Sequence, residues 1–119
     1  MEILLIDDNK EITEMVSFFL DSQGISCDVI NDGVEGLNII RKKKYDIVLL
    51  DLAMPSFSGY DVVDKLKQEK LLYQNNILVL TALPLSEDNT KRLISEGIRG
   101  IIKKPISIDD IIKTLDRYR

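Results

Sequence analysis

The sequence predicts an α/β protein in which helices cover both faces of a parallel sheet, and two observations predict this class. Short, almost continuous apolar runs recur along the chain, which is typical of strands buried on both faces. Segments with helical spacing of apolar residues separate these runs. Strands and helices that alternate in this way form right-handed βαβ units. The expected count is five strands and five helices.

Composition limits the possible functions. The chain has 119 residues, 45% of them hydrophobic and 30% charged, which suits one domain over residues 1–119 with its own core. The net charge of −4 favours neither nucleic acid nor a membrane surface as a partner. The chain has no histidine and one cysteine, which excludes Ser-His-Asp catalysis, histidine-bound zinc and an internal disulfide. Without a signal or membrane-spanning segment, a soluble cytoplasmic domain is expected.

The first half of the chain predicts three strands and two helices. Ile3–Ile6 forms the first strand, and Asn9 or Asp8 caps the first helix. The alternating segment 25–29 is expected to be an edge strand with one wet face. Gly33 opens the second helix, and a buried strand follows. Apolar residues at helical spacing mark the two helices: Ile12, Met15, Val16 and Phe19 in the first, and Val34, Leu37 and Ile40 in the second.

The second half predicts three helices and two strands. Ser58 starts the third helix, and residues 77–80 form the fourth strand. The fourth helix has few apolar anchors, so it is expected to shift easily. Residues 99–102 form the last strand, and Ser107 caps the last helix. The apolar residues of these helices are Val62, Val63 and Leu66, then Leu93 and Ile94, then Ile108, Ile111, Ile112, Leu115 and Tyr118.

Polar residues follow four of the predicted strands: the pair Asp7-Asp8, then Asp51, Thr81 and Lys104. The carboxyl ends of parallel strands meet at one edge of the sheet, so we expect these side chains to converge there. Three carboxylates packed together without a cation repel each other, and oxygen ligands suit Mg²⁺. With a lysine and a hydroxyl added, the set suits phosphoryl transfer. The P-loop and Rossmann glycine motifs are missing, which disfavours nucleotide binding.

Taken together and in order, these motifs resemble the receiver domain of two-component response regulators over the whole length of the chain. The matching motifs are Asp7-Asp8, Asp51 with Met54-Pro55 and Gly59 after it, Thr81-Ala82, and Lys104-Pro105. The resemblance implies a flavodoxin-like sheet of order 2-1-3-4-5. It also implies that Asp51 accepts a phosphoryl group from a sensor histidine kinase or a phosphotransfer protein.

The resemblance also implies the remaining roles. Asp8, Asp51 and the backbone carbonyl of Ala53 would hold Mg²⁺, with Asp7 acting directly or through water. Lys104 would pair with the phosphoryl group, and Thr81 would hydrogen-bond to it and reposition. The domain would then signal to a downstream effector protein or output domain. It would catalyse only its own phosphorylation and dephosphorylation, so it is not expected to be an enzyme.

The sequence departs from the family pattern at three positions. Ile101 stands where receivers usually carry Tyr or Phe, so the usual aromatic switch cannot operate. Ala53 and Leu83 are apolar where polar side chains often orient the attacking water. The segment 81–97 is also one residue longer than is common, around Pro84. Strand alternation points the adjacent Lys103 and Lys104 to opposite faces, and the family lysine directly precedes proline, so the resemblance implies that Lys104 is the site lysine.

Two other functions remain open from the sequence. A pseudo-receiver would keep the fold as a constitutive protein-interaction module without the chemistry. The intact set Asp7, Asp8, Asp51, Thr81 and Lys104 argues against it, and Ile101 keeps it open. A Mg²⁺-dependent phosphohydrolase of the haloacid dehalogenase kind requires a second acid two residues after the nucleophile. Ala53 occupies that position, which argues against the hydrolase.

Overall fold

The computed structural model describes residues 1–118 and confirms the predicted fold class. Five parallel strands form one sheet in the order β2-β1-β3-β4-β5, and five helices alternate with them. The strands are β1 Glu2–Ile6, β2 Ser26–Ile30, β3 Ile47–Asp51, β4 Ile77–Thr81 and β5 Gly100–Lys103. The helices are α1 Lys10–Ser22, α2 Gly33–Lys42, α3 Gly59–Gln68, α4 Glu87–Glu96 and α5 Ile108–Tyr118.

Two apolar cores lie on opposite faces of the sheet. Helices α1 and α5 cover one face, where Val16, Leu20, Ile111 and Leu115 pack against alternate residues of the strands. Helices α2, α3 and α4 cover the other face. Every residue of β3 and β4 is buried because these two strands have neighbours on both sides and helices on both faces. The central strands therefore form a rigid base for whatever lies at their ends.

Side-chain caps fix where the helices begin. Asn9 Oδ1 accepts hydrogen bonds from the amides of Glu11 and Ile12, so Asn9 rather than Asp8 caps α1. Ser58 and Asp61 form a reciprocal capping box at the start of α3. Each cap satisfies amides that have no partner within the first helical turn. Helices α1 and α3 thus start directly after the loops that leave β1 and β3.

Some apolar residues predicted to face the core are partly exposed. Five helical residues keep between 39% and 47% of their surface exposed: Met15, Val34, Ile94, Ile108 and Ile112. The predicted apolar stripes are wider than the surface that each helix presents to the sheet. Helical spacing of apolar residues identifies which face of a helix packs on the sheet, but it does not show where the packed surface ends.

The order of the strands reverses between β1 and β3, the switch point at which ligands bind in open sheets of this class. Both strands end at the same edge, where β1 pairs with β3 up to Ile6 and Leu50. Within residues 1–118, none of the helices is both long and apolar enough to cross a bilayer.

Candidate functional site

Three carboxylates meet at the switch point. Asp7 directly follows β1, and Asp51 is the last residue of β3. One oxygen from each of Asp7, Asp8 and Asp51 lies within 4.8 Å of the others. Asp7 and Asp51 are 0% and 2% exposed, whereas Asp8 is exposed. Two buried acids and one solvent-facing acid therefore form a cluster that opens to solvent on one side.

Lys104 supplies the positive charge of this cluster. Its Nζ lies 2.8 Å from Asp7 Oδ2 and 3.3 Å from Asp51 Oδ1. The Lys104 amide donates to the Thr81 carbonyl at 2.8 Å, and the peptide bond to Pro105 is cis. Lys103 is exposed and forms no ion pair with the described residues. The structure therefore brings Lys104, and not Lys103, against the carboxylates.

Backbone contacts hold the two buried carboxylates in place. The Asn9 amide donates to Asp7 Oδ1 at 2.9 Å, and the Ala53 amide donates to Asp51 Oδ1 at 3.3 Å. The Asn31 side chain donates to the Asp7 carbonyl at 2.7 Å. Asn31 was missed in the sequence analysis because nothing in the sequence indicates that this amide crosses from the end of β2 to the end of β1.

Crowding shifts the protonation of the buried groups. Burial, together with repulsion from Asp7, raises the pKa of Asp51 from 3.8 to about 6, although Lys104 and the Ala53 amide oppose the rise. Burial acts to lower the pKa of Lys104. The two neighbouring carboxylates outweigh it, so the pKa of Lys104 lies above its ordinary value. The lysine stays charged, while part of the Asp51 population carries a proton near neutral pH.

The donor set fits a small hard cation such as Mg²⁺. Asp7 Oδ2 is fully buried, and its ion-pair partner is Lys104 Nζ at 2.8 Å. One ammonium faces a cluster of three carboxylates, so negative charge remains that a cation would neutralise. The ligands available are oxygens only, which matches the preference of Mg²⁺.

Thr81 ends β4 beside Asp51, but its hydroxyl is engaged locally. Thr81 Oγ1 donates to the Leu83 carbonyl at 2.6 Å and accepts from the Leu83 amide at 3.3 Å. Among residues 1–118 it has no other hydrogen-bond partner of its side chain. Leu83 itself is 74% exposed, and Ala53 is exposed as well. The hydroxyl is therefore near the cluster without being joined to it.

The loop after β3 packs tightly under the cluster. A Cβ atom on Gly59 would lie 2.2 Å from the Asp51 carbonyl oxygen, so only glycine allows this approach. The Gly59 amide donates to the Leu52 carbonyl at 3.1 Å. Ser56 adopts a positive φ of 66° in the same loop. The start of α3 is thus held directly against the backbone of Asp51.

Comparisons with known proteins agree with this geometry. The family model of the response regulator receiver domain matches residues 3–116. The chain is 34% identical over 118 residues to the sensor histidine kinase RcsC of Escherichia coli strain K12, covering 99% of this chain and 12% of that protein. It is 25% identical to the probable transcriptional regulator ycf29 of Pyropia yezoensis, covering 97% of this chain and 51% of that protein.

Solved structures show the same fold at similar size. The chemotaxis protein CheY4 of Vibrio cholerae aligns with a TM-score of 0.85 at 28% identity, covering 99% of this chain and 98% of that chain. The receiver domain of the Francisella response regulator 1452 aligns with a TM-score of 0.86 at 27% identity, covering 98% and 94%. The chain spans about an eighth of the curated relative RcsC. With a family match over nearly its whole length and this site at its switch point, the chain belongs to the response regulator receiver domain family.

Proposed function

We propose that Asp51 accepts a phosphoryl group from a histidine kinase or phosphotransfer protein and that the phosphorylated domain signals to a downstream effector or output domain. The observation that carries this proposal is the contact of Lys104 with both Asp7 and Asp51 at the mouth of the acidic cluster. A lysine that only stabilises the fold needs one carboxylate as its partner. Lys104 contacts two carboxylates, and the exposed carboxylate of Asp8 lies beside them. The family match supports signalling through phosphorylation as the general role.

The reaction is a substitution at phosphorus. One carboxylate oxygen of Asp51 attacks, an oxygen–phosphorus bond forms, and the bond from phosphorus to the nitrogen of the donor histidine breaks. Asp8, Asp51 and the Ala53 carbonyl would hold Mg²⁺, with Asp7 acting directly or through water. When bound, this cation neutralises charge on the transferring oxygens and keeps Asp51 ionised. Lys104 stabilises the same oxygens from the other side, as an ammonium that its neighbours keep charged.

Signalling would start at Thr81. To donate to a phosphoryl oxygen on Asp51, its hydroxyl must give up the hydrogen bond to the Leu83 carbonyl. That exchange frees the segment between β4 and α4, which is exposed from Ala82 to Pro84. Because Ile101 cannot rotate as an aromatic ring does, we expect the output to depend on this segment.

One experiment separates this function from the alternatives. The protein is incubated with acetyl phosphate and Mg²⁺ while intact mass and released phosphate are recorded. A receiver gains one lasting phosphoryl group, because Asp51 is its single acceptor and neither Ala53 nor Leu83 holds a water molecule to hydrolyse the acyl phosphate. A constitutive interaction module gains none. A phosphohydrolase continues to release phosphate from other esters without accumulating an adduct.

A further inference from the structure

The open edge of the sheet at β2 carries a groove with negative charge. The groove has a volume of about 420 Å³ and lies between α1 and β2. It is lined by Glu14, Ser17, Phe18, Asp21 and Cys27. Phe18 is 79% exposed, the largest exposed fraction among the large hydrophobic residues of the described chain. Residues 11–40 contain six acidic residues and no lysine or arginine, and Lys10 at the start of α1 is the one cation on α1 and β2, so negative charge dominates the groove.

The open edge at β5 carries a second groove, of about 230 Å³, with the opposite charge. Lys103, Lys113 and Arg117 line it, and all three are exposed. No ion pair joins any of them to another residue within 1–118. The one acid in the lining is Asp110, whose carboxylate accepts from the Ser107 amide at the start of α5. Positive charge therefore dominates this edge.

The two grooves are arranged to meet between copies of the chain. Helices α1 and α5 share one core on one face of the sheet, so both grooves lie on that face. Strands β2 and β5 are the two unpaired edges and run in the same direction. A second copy displaced sideways in the plane of the sheet therefore brings its β5 edge beside the β2 edge of the first. In that arrangement its α5 approaches α1.

We propose that the protein self-associates head to tail, with the basic β5–α5 groove of one copy on the acidic α1–β2 groove of the next. Lys113 and Arg117 pair with Glu14 and Asp21, and Arg117 or Lys113 stacks on the exposed ring of Phe18. The contact uses different surfaces on the two copies, so it forms open chains rather than a closed dimer. One edge of a domain measuring 35 × 31 × 28 Å offers a small interface, so association is weak and depends on concentration.

Sedimentation velocity in reducing buffer tests the proposal on the unphosphorylated protein across a concentration series. The expected result is a rising weight-average mass at about 0.02 M ionic strength and a monomer at about 0.5 M, because screening shortens from roughly 20 Å to 4 Å. Glu14→Lys and Lys113→Glu should each weaken association by about tenfold. An equimolar mixture of the two variants should regain it, because each altered groove then meets its complement.

Matched controls exclude a general effect of net charge. Asp64→Lys and Lys65→Glu make the same charge changes on the exposed face of α3, away from both grooves, and should leave association unchanged. A protein that stays monomeric at low salt over the whole series overturns the proposal. So does association that the groove variants and the α3 variants weaken equally, or a variant mixture that fails to recover.

Discussion

At the scale of single residues, the site depends on which of two adjacent lysines reaches the acids. Lys104 lies 2.8 Å from Asp7 and is mostly buried, whereas Lys103 is exposed. The alternation of side chains along a strand predicts that only one of the two lysines reaches the site, and the resemblance to receiver domains, whose lysine directly precedes proline, identifies it as Lys104. The engagement of Thr81 with Leu83 could not be predicted, because it depends on how the backbone turns after β4.

Replacing each of the two lysines should have a different consequence for phosphorylation. Lys104→Ala removes the only ammonium that contacts Asp51 among the described residues, so we expect phosphorylation to slow by at least about tenfold. Lys103→Ala should leave the rate close to that of the wild type. The measurement is the initial rate of adduct formation with acetyl phosphate. A larger loss for Lys103→Ala would contradict the assignment.

Asp51 should make the metal-free protein less stable as the pH rises. Its folded pKa of about 6 lies above the ordinary 3.8, so the folded state holds a proton that the unfolded chain has lost. Stability from this group is therefore lost between about pH 4 and pH 6. We expect Asp51→Asn to raise the free energy of unfolding at pH 7 by about 1–3 kcal/mol, and by little below pH 4.

Urea unfolding of both proteins at several pH values, with chelator present, measures this difference. Mg²⁺ supplies the control, because it should stabilise the wild type against heat more than it stabilises Asp51→Asn. If the difference in unfolding free energy between the two proteins stays constant from pH 4 to pH 7, burial and the charge of Asp7 do not raise the pKa of Asp51.

The phosphorylated protein should be long-lived without a phosphatase. Hydrolysis needs a water molecule held in line with the leaving oxygen, and neither Ala53 nor Leu83 has a side-chain group to hold it. Replacing them together with Asn and Glu should speed the loss of the phosphoryl group several-fold. The measurement is a decay time course in magnesium buffer. If the double variant decays no faster than the wild type, the apolar residues do not set the lifetime.

At the scale of elements, α4 differs from the other helices in how it is held. Leu93 is its only buried residue, whereas α3 buries Val62, Val63 and Leu66 as well as Gly59. Polar contacts at its carboxyl end add to this single anchor. Tyr73 donates to the Ser95 carbonyl at 2.9 Å, and Lys67 lies 3.2 Å from Glu96. Among the described residues, the amino-terminal end of α4 has no polar side-chain contact of this kind with another element.

Hydrogen exchange should therefore be faster in α4 than in α3, and fastest in its first turn. Few buried apolar contacts lower the free energy of local opening. Exchange measured by NMR on the unphosphorylated protein gives the comparison residue by residue. Equal protection of the two helices would contradict the view that α4 is the element most easily moved.

The elements were predictable from the sequence to different degrees. Continuous apolar runs such as Ile47–Leu50 predict the buried strands and their order along the chain. A strand in the middle of a sheet with helices on both faces buries every one of its residues, which such a run requires. The exposure of Ile108 and Ile112 on α5 did not follow, because helical spacing does not show where the contact of α5 with the sheet ends. The sequence likewise does not reveal Asn31, whose contact joins two loops.

At the scale of the whole molecule, two fully buried strands carry site residues, and a helix with one buried residue comes next in the chain. The fully buried strands β3 and β4 hold Asp51 and Thr81 at one edge of the sheet. The segment 82–86 leads from Thr81 to the lightly anchored α4. Under the proposed function, a phosphoryl group on Asp51 would therefore act on the surface through one hydrogen-bond exchange at Thr81.

The account requires that the phosphoryl group be attached to Asp51 and nowhere else. The most direct measurement is intact mass followed by peptide mapping after incubation with acetyl phosphate, for the wild type and for Asp51→Asn, with Mg²⁺ and with chelator. The account predicts one phosphoryl group on the wild type with Mg²⁺, located at Asp51, and none in the other three samples. An adduct on Asp51→Asn, or a wild-type adduct mapped to another residue, would contradict it.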